Sequence, residues 1–298
     1  MTLYVLYRIG VFFALALPLK FSYFMADLIG GVYCRFSSKD REAVIANLRV
    51  VLGDTITDKK LSKTARGVFK NFAKYLVDFF RFTRIDKEYI DRYIRFEGLE
   101  RVDAALTRGK GAILLSAHIG NWELGAAALS LSGYPISAVV LTHQNKKIND
   151  FFTSQRMRGK MRPIEIGATL RACYRTLKGN GLLALLGDRD FTKNGIRVEF
   201  FGKTALIPKG PAVFAYREGA VILPTFMVRE PDDTFRLFID EPIYADPRKD
   251  EAGAIRGLTT QYLASIESCV RRYPSQWYIF RDLWEQNGAQ SLRPDTII

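Results

Sequence analysis

His118 and Glu123 stand five positions apart in Ser116-Ala117-His118-Ile119-Gly120-Asn121-Trp122-Glu123, directly after the apolar run Ala112-Ile113-Leu114-Leu115. The chain has one other histidine, His143. A neutral imidazole can take a proton from a hydroxyl, and a carboxylate on its other nitrogen holds the tautomer. Five is not a same-face interval on a helix, so the pair cannot share one regular helix. The spacing works if His118 lies in a turn and Glu123 in the first turn of the next helix, where a negative charge suits the dipole. Backbone donors near Gly120 and Asn121 are then candidates for holding an oxyanion.

Further polar clusters leave the ends of apolar runs. Leu185-Leu186-Gly187-Asp188-Arg189-Asp190-Phe191 offers a second acid for the histidine in Asp188, and Arg189 suits a phosphate or an internal pair with Asp190. Lys209-Gly210 precedes a helix that opens at Pro211, a plausible anion site. Gly202-Lys203-Thr204 mimics the end of a P-loop, but Arg197 occupies the upstream glycine position, which excludes nucleotide binding there. Lys146, Lys147, Arg156, Arg158, Lys160 and Arg162 form a basic cluster suited to an acidic carrier protein, a phosphorylated headgroup or a bilayer.

The His-x4-Glu block, with its Gly-Asn-Trp-Glu ending, resembles the late (lauroyl/myristoyl) lipid A acyltransferases, within the larger superfamily of His-x4-Asp/Glu glycerolipid acyltransferases. Phe200-Phe201-Gly202 with Pro208-Lys209-Gly210 resembles that family's Phe-x-Gly … Pro-x-Gly loop, and Pro274-Ser275-Gln276-Trp277 its closing segment, with Ser275 replacing the usual glutamate. The resemblance implies transfer of a fatty acyl chain from a thioester of acyl carrier protein or coenzyme A to a hydroxyl of a lipid A precursor, a related glycolipid or a lysolipid. His118 is then the base, and either Glu123 or Asp188 its orienting partner. Gly120, Asn121, Trp122, Arg156, Arg158, Arg189, Asp190 and Lys209 are the candidate substrate contacts. The acyl thioester is a co-substrate; no cofactor and no metal is expected. Trp277 and Tyr278 read as packing or interfacial aromatics.

The elements that must position these groups follow from the pattern. Short β-rich runs alternate with helical ones from Tyr93 onward: Ala112–Leu115 then Asn121–Leu131, Ile136–Leu141 then Lys147–Arg158, Pro163–Ile166 then Leu170–Leu177. Leu182–Leu186, Val198–Phe201 and Val221–Arg229 continue the series, Phe235–Ile239 reads as a hairpin partner, and a last helix covers about Ala252 to Tyr273. This predicts an α/β fold with a mixed, mostly parallel sheet flanked by helices. Ligands bind at the carboxyl ends of strands in such sheets, which is where His118 falls.

Upstream, a helix over about Thr57 to Phe82 carries Leu61, Val68, Phe69, Phe72, Leu76, Phe79 and Phe80 at helical spacing. The apolar runs Ile9–Leu19 and Phe21–Cys34 precede it, each shorter than the ~20 residues that span a bilayer. Their basic and aromatic flanks predict an interfacial or re-entrant anchor or a single tilted span; the family resemblance implies the cytoplasmic face of a bacterial inner membrane. The chain thus divides into a helical membrane-associated segment, 1–85, and a catalytic domain, 86–298.

A net charge of +13 calls for a negatively charged partner such as anionic membrane lipid. No helix-turn-helix, zinc-finger or RNA-recognition signature accompanies it, so nucleic acid is not the expected partner. The three cysteines form no disulfide framework and no Cys-x2-Cys pair. No Gly-x-Ser-x-Gly elbow and no Gly-x-Gly-x-x-Gly after a strand are present, which argues against a serine esterase and a dinucleotide enzyme. The remaining alternatives are a thioesterase-like hydrolase using His118 to activate water and a non-enzymatic protein that binds anionic membranes.

Overall fold

Pro18 has no amide hydrogen to donate, and it divides the apolar N-terminus into two helices, α1 (Thr2–Ala16) and α2 (Leu19–Phe36). The computed structural model describes residues 2–166, 169–190 and 194–284. α3 (Ser38–Leu52) ends at Gly53, whose φ of 78° suits glycine. α4 (Asp58–Phe80) is capped by Thr57, whose hydroxyl accepts from the Lys60 amide. Gly30 lets α2 lie directly on α4, since a Cβ there would come 2.6 Å from the Phe69 carbonyl oxygen. Among the described residues no helix is long and apolar enough to cross a membrane, so neither α1 nor α2 supplies the single span.

After the short α5 (Lys87–Tyr93) the strand–helix alternation begins with β1 (Ile94–Glu97) and α6 (Glu100–Thr107). It continues through β2 (Ala112–Ser116), α7 (Trp122–Leu131), β3 (Ile136–Val140), α8 (Lys146–Arg158), β4 (Arg162–Glu165), α9 (Thr169–Lys178) and β5 (Leu182–Leu186). β6 (Ile196–Phe200), β7 (Lys203–Ile207), α10 (Gly210–Glu218), β8 (Val221–Arg229), β9 (Phe235–Ile239) and α11 (Glu251–Arg272) complete it. Seven strands form one sheet in the order β1-β9-β8-β2-β5-β3-β4. The run from β8 to β4 is parallel, β9 is antiparallel to β8, and β1 is parallel to β9. The sheet is thus mixed and mostly parallel, with β9 as the expected hairpin partner.

Val198–Phe201 is a strand in kind but not in place. β6 pairs with β7, which reads as loop in the sequence, in a separate antiparallel hairpin. Phe201 (φ 53°) and Gly202 (φ 76°) make its two-residue turn, and left-handed backbone at both positions matches the twist of a tight hairpin.

Alternation along β2 divides the core. Ile113 and Leu115 enter one apolar cluster with residues of α10 and α11. Ala112 and Leu114 enter another with Leu124 of α7, Phe151 and Phe152 of α8, Phe79 and Phe80 of α4, and Tyr7 of α1. The C-terminal part of α4 is therefore packed beneath the helices that carry the candidate site.

Candidate active site

β2 and β5 are parallel neighbours in a register that sets Ser116 opposite Leu186. Each chain runs two residues further, to His118 and Asp188, so the two side chains meet beyond the sheet edge. Asp188 Oδ1 lies 2.8 Å from His118 Nδ1, and Oδ2 accepts the His118 amide at 2.9 Å and the Trp277 indole N–H at 3.0 Å. Burial works against the Asp188 charge, but His118 and the surrounding N–H donors outweigh it and hold the carboxyl below its ordinary value. An ionised carboxylate only accepts, so the proton of a neutral His118 sits on Nδ1 and the lone pair on Nε2. His118 lines a cavity of about 820 Å³, within the ordinary range for ligand pockets.

Glu123 sits in the first turn of α7, as the spacing requires, but its carboxylate turns to Arg156 rather than to His118. Arg156 Nε donates to both carboxylate oxygens at 3.0 and 3.1 Å, and Nη2 to Oε1 at 2.6 Å. Both side chains are buried and line the same cavity. Burial disfavours the Arg156 cation, yet Glu123 more than restores it. Of the two acids the sequence offers, it is Asp188 that contacts the imidazole.

The loop between His118 and α7 is fastened on every side. Gly120 has φ 61°, and a Cβ there would fall 1.8 Å from the Met227 carbonyl oxygen of β8. Its amide donates to Gln276 O and the Asn121 amide to Met227 O, both at 2.8 Å. Of the backbone donors in the stretch expected to face an oxyanion, these two are committed to the protein's own carbonyls. The closing segment does much of this fastening. Tyr278 donates its amide to His118 O, and the Gln276 side chain bridges the backbone amide and carbonyl of Arg229. Trp277, read from sequence as packing or interfacial, is buried and hydrogen-bonded to Asp188.

Asn121 caps α7 by accepting the Leu124 amide and donates to Asp78 of α4 at 2.7 Å. Asp78 also accepts from Tyr23 of α2 and pairs with Arg229 of β8. Its carboxyl is pushed up by complete burial despite these partners. Trp122 stacks on Tyr75 of α4 with centroids 4.7 Å apart, and both line the cavity. Asp78 and Tyr75 escape sequence reading; the one available signal is an acid in the apolar run Leu76-Val77-Asp78-Phe79-Phe80.

Arg189, Asp190 and Lys209 also line the cavity. Burial, with Arg281 nearby, lowers the Arg189 guanidinium to about 10. Asp190 accepts the Gly195 amide. Phe191, in the same sequence block, lies outside the described residues. Arg158 does not reach the cavity: it is exposed at the end of α8, the face opposite to that taken by buried Arg156. The floor is apolar, with Leu114, Leu129, Ala138, Val140, Met227 and Leu237 among its side chains. The arrangement brings together an imidazole bonded to a buried carboxylate, a buried ion pair and an apolar cavity wall.

Comparison with known proteins places the chain in a family. The family model described as bacterial lipid A biosynthesis acyltransferase matches residues 1–286. The phosphatidylinositol mannoside acyltransferase of Mycolicibacterium smegmatis is 24% identical over 274 residues, covering 87% of this chain and 85% of its own. That of Mycobacterium tuberculosis is 25% identical over 231 residues, 75% of this chain and 71% of its own. A lipid A biosynthesis acyltransferase of Haemophilus influenzae is 27% identical over 145 residues, 47% of this chain and 44% of its own. The chain belongs to the bacterial lipid A biosynthesis acyltransferase family and is an acyltransferase.

Proposed function

We propose that the protein works at a membrane surface and moves a fatty acyl chain from a thioester of acyl carrier protein or coenzyme A to a hydroxyl of a lipid A precursor or related glycolipid. The observation that carries this reading is the His118–Asp188 dyad lining a largely apolar cavity. The acceptor hydroxyl gives its proton to His118 Nε2 as its oxygen attacks the thioester carbonyl carbon. The carbon–sulfur bond breaks, and the departing thiolate takes the proton from the imidazolium. Asp188 keeps the tautomer and steadies the positive charge, and base catalysis of this kind contributes about 10²- to 10⁴-fold. Glu123 and Arg156 line the cavity as a polar pair for the acceptor headgroup, and the apolar floor receives the acyl chain.

Support for the membrane surface comes from the N-terminal helices. Phe12 and Phe13 of α1 and Phe24, Ile29 and Phe36 of α2 are all more than half exposed. An apolar face of this size beside basic residues of α4 fits helices lying in the interface of an anionic bilayer. The experiment supplies labelled acyl carrier protein and coenzyme A thioesters to membranes containing the protein and separates the products. A newly acylated lipid supports the reading and identifies donor and acceptor. Free fatty acid alone, with every acceptor supplied, would make the protein a hydrolase.

A further inference from the structure

We propose that a groove between α2 and α4 holds the phosphate of an anionic bilayer phospholipid, an assignment that rests on the membrane-surface reading above. The groove encloses about 700 Å³ and shares no lining residue with the His118 cavity. Arg35, Arg41, Arg66 and Lys70 line it, and the acid on its wall is Asp27, which lies 3.6 Å from Lys74. Arg41 serves the end of α2, donating to Cys34 O at 2.8 Å and to Arg35 O at 3.0 Å. No carboxylate among the described residues pairs with Arg35, Arg66 or Lys70.

Two of these cations converge on one spot. Gly31 of α2 has no side chain, and a Cβ there would stand 3.3 Å from Arg66 Nη2 and 3.8 Å from Lys70 Cε. Arg41 and Arg66 also act together on the Cys34 thiol, which burial raises and the two cations lower. Like charges gathered without a counter-charge repel. An anion placed between them replaces the repulsion with charge-assisted hydrogen bonds. Beside the cations runs an apolar stripe. Phe24, Leu28, Val32 and Phe36 recur every four residues of α2 and so share one face. All four are exposed, and all four line the groove. At about 1.5 Å of rise per residue the stripe runs about 18 Å. Cations beside an exposed aliphatic and aromatic stripe match a molecule that joins phosphate to hydrocarbon. Free phosphate would engage the cations and leave the stripe bare, as would the polar surface of an acidic protein. The proposed base of the reaction lies in the other cavity, so the lipid in this groove is held and not acylated.

The test uses the full chain and vesicles of phosphatidylcholine, alone or mixed equally with phosphatidylglycerol, with binding read by co-sedimentation. A basic residue at an anionic surface is worth about fivefold in affinity, so Arg66→Gln/Lys70→Gln should bind the mixed vesicles about thirtyfold more weakly. The double change breaks no ion pair within the protein and should keep the wild-type Tm. Lys59→Gln/Lys63→Gln removes the same charge from an exposed stretch of α4 outside the groove. That control should lose less than about threefold. In calorimetry, monomeric dihexanoyl-phosphatidylglycerol should bind wild type, whereas glycerol phosphate and inorganic phosphate at the same concentration should not. The assignment is overturned if the groove variant binds mixed vesicles like wild type, or if the two double variants lose equally. It is overturned too if wild type binds pure phosphatidylcholine as tightly as the mixture, if the free phosphates bind as well as the short-chain lipid, or if the groove variant loses acyl carrier protein instead of lipid. Wild type that binds neither vesicle would bring down the membrane-surface reading itself; a groove variant equal to a wild type that does bind removes only this site.

Discussion

Asp188→Asn changes one atom and should switch the tautomer of the base. Asp188 Oδ2 accepts from both the His118 amide and the Trp277 indole, whereas Oδ1 meets only His118 Nδ1. An asparagine therefore keeps its oxygen at the Oδ2 position, since the reverse orientation would oppose two N–H donors with an NH₂ group. That places the amide nitrogen against His118 Nδ1, which must then accept, and the imidazole proton moves to Nε2. The lone pair that the proposed deprotonation requires is lost while the fold is kept. In a triad the same exchange lowers kcat by about 10⁴, equivalent to about 5.5 kcal/mol of barrier. The stability cost is smaller, about 1–2 kcal/mol for the weakened hydrogen bonds. Single-turnover acyl transfer reads the first quantity and thermal unfolding the second, and ¹⁵N spectra of the histidine report the tautomer. A folded variant that transfers within tenfold of wild type, with the proton still on Nδ1, would refute the reasoning.

Other variants separate structure from chemistry. Glu123→Ala leaves the Arg156 cation buried without its partner and should cost about 3–5 kcal/mol, while a Glu123→Leu/Arg156→Leu double variant should lie closer to wild type in chemical denaturation than either single change. Gly120→Ala should abolish cooperative unfolding or soluble expression, because its Cβ would overlap the Met227 carbonyl oxygen at 1.8 Å. The depressed Asp188 carboxyl contributes stability that is complete above its ordinary value of 3.8 and lost as pH falls through the lower folded value. Urea titrations should accordingly show the gap between wild type and Asp188→Asn widest above about pH 4 and closing below it; a gap that widens in acid would reverse the sign.

The parallel core of the sheet was legible because β2 and β5 are short apolar runs bounded by glycine or polar residues and β8 opens on Val221-Ile222-Leu223. β7 was not, since Lys203 and Thr204 follow Gly202 and Pro208 ends it, so its five residues resemble loop. Its strand character comes from pairing with β6 across the Phe201-Gly202 turn. His118 was recognisable from its place after β2. The choice between Glu123 and Asp188 depends on a register between strands about seventy residues apart, which no local spacing encodes. Arg156, thirty-three residues from Glu123, is equally invisible as its partner amid a basic stretch whose other members face solvent. The engagement of the Gly120 and Asn121 amides was hidden for a related reason: it depends on β8 and the closing segment, which meet the loop only in the folded chain.

We propose that His118 removes the acceptor proton in a transfer between thioester and lipid hydroxyl. It is tested most directly by transfer of a labelled acyl group into lipid by purified wild type and by His118→Ala at matched folded concentration. Wild type should yield an acylated lipid and the variant at least about 10²-fold less. Equal product from the two would contradict it.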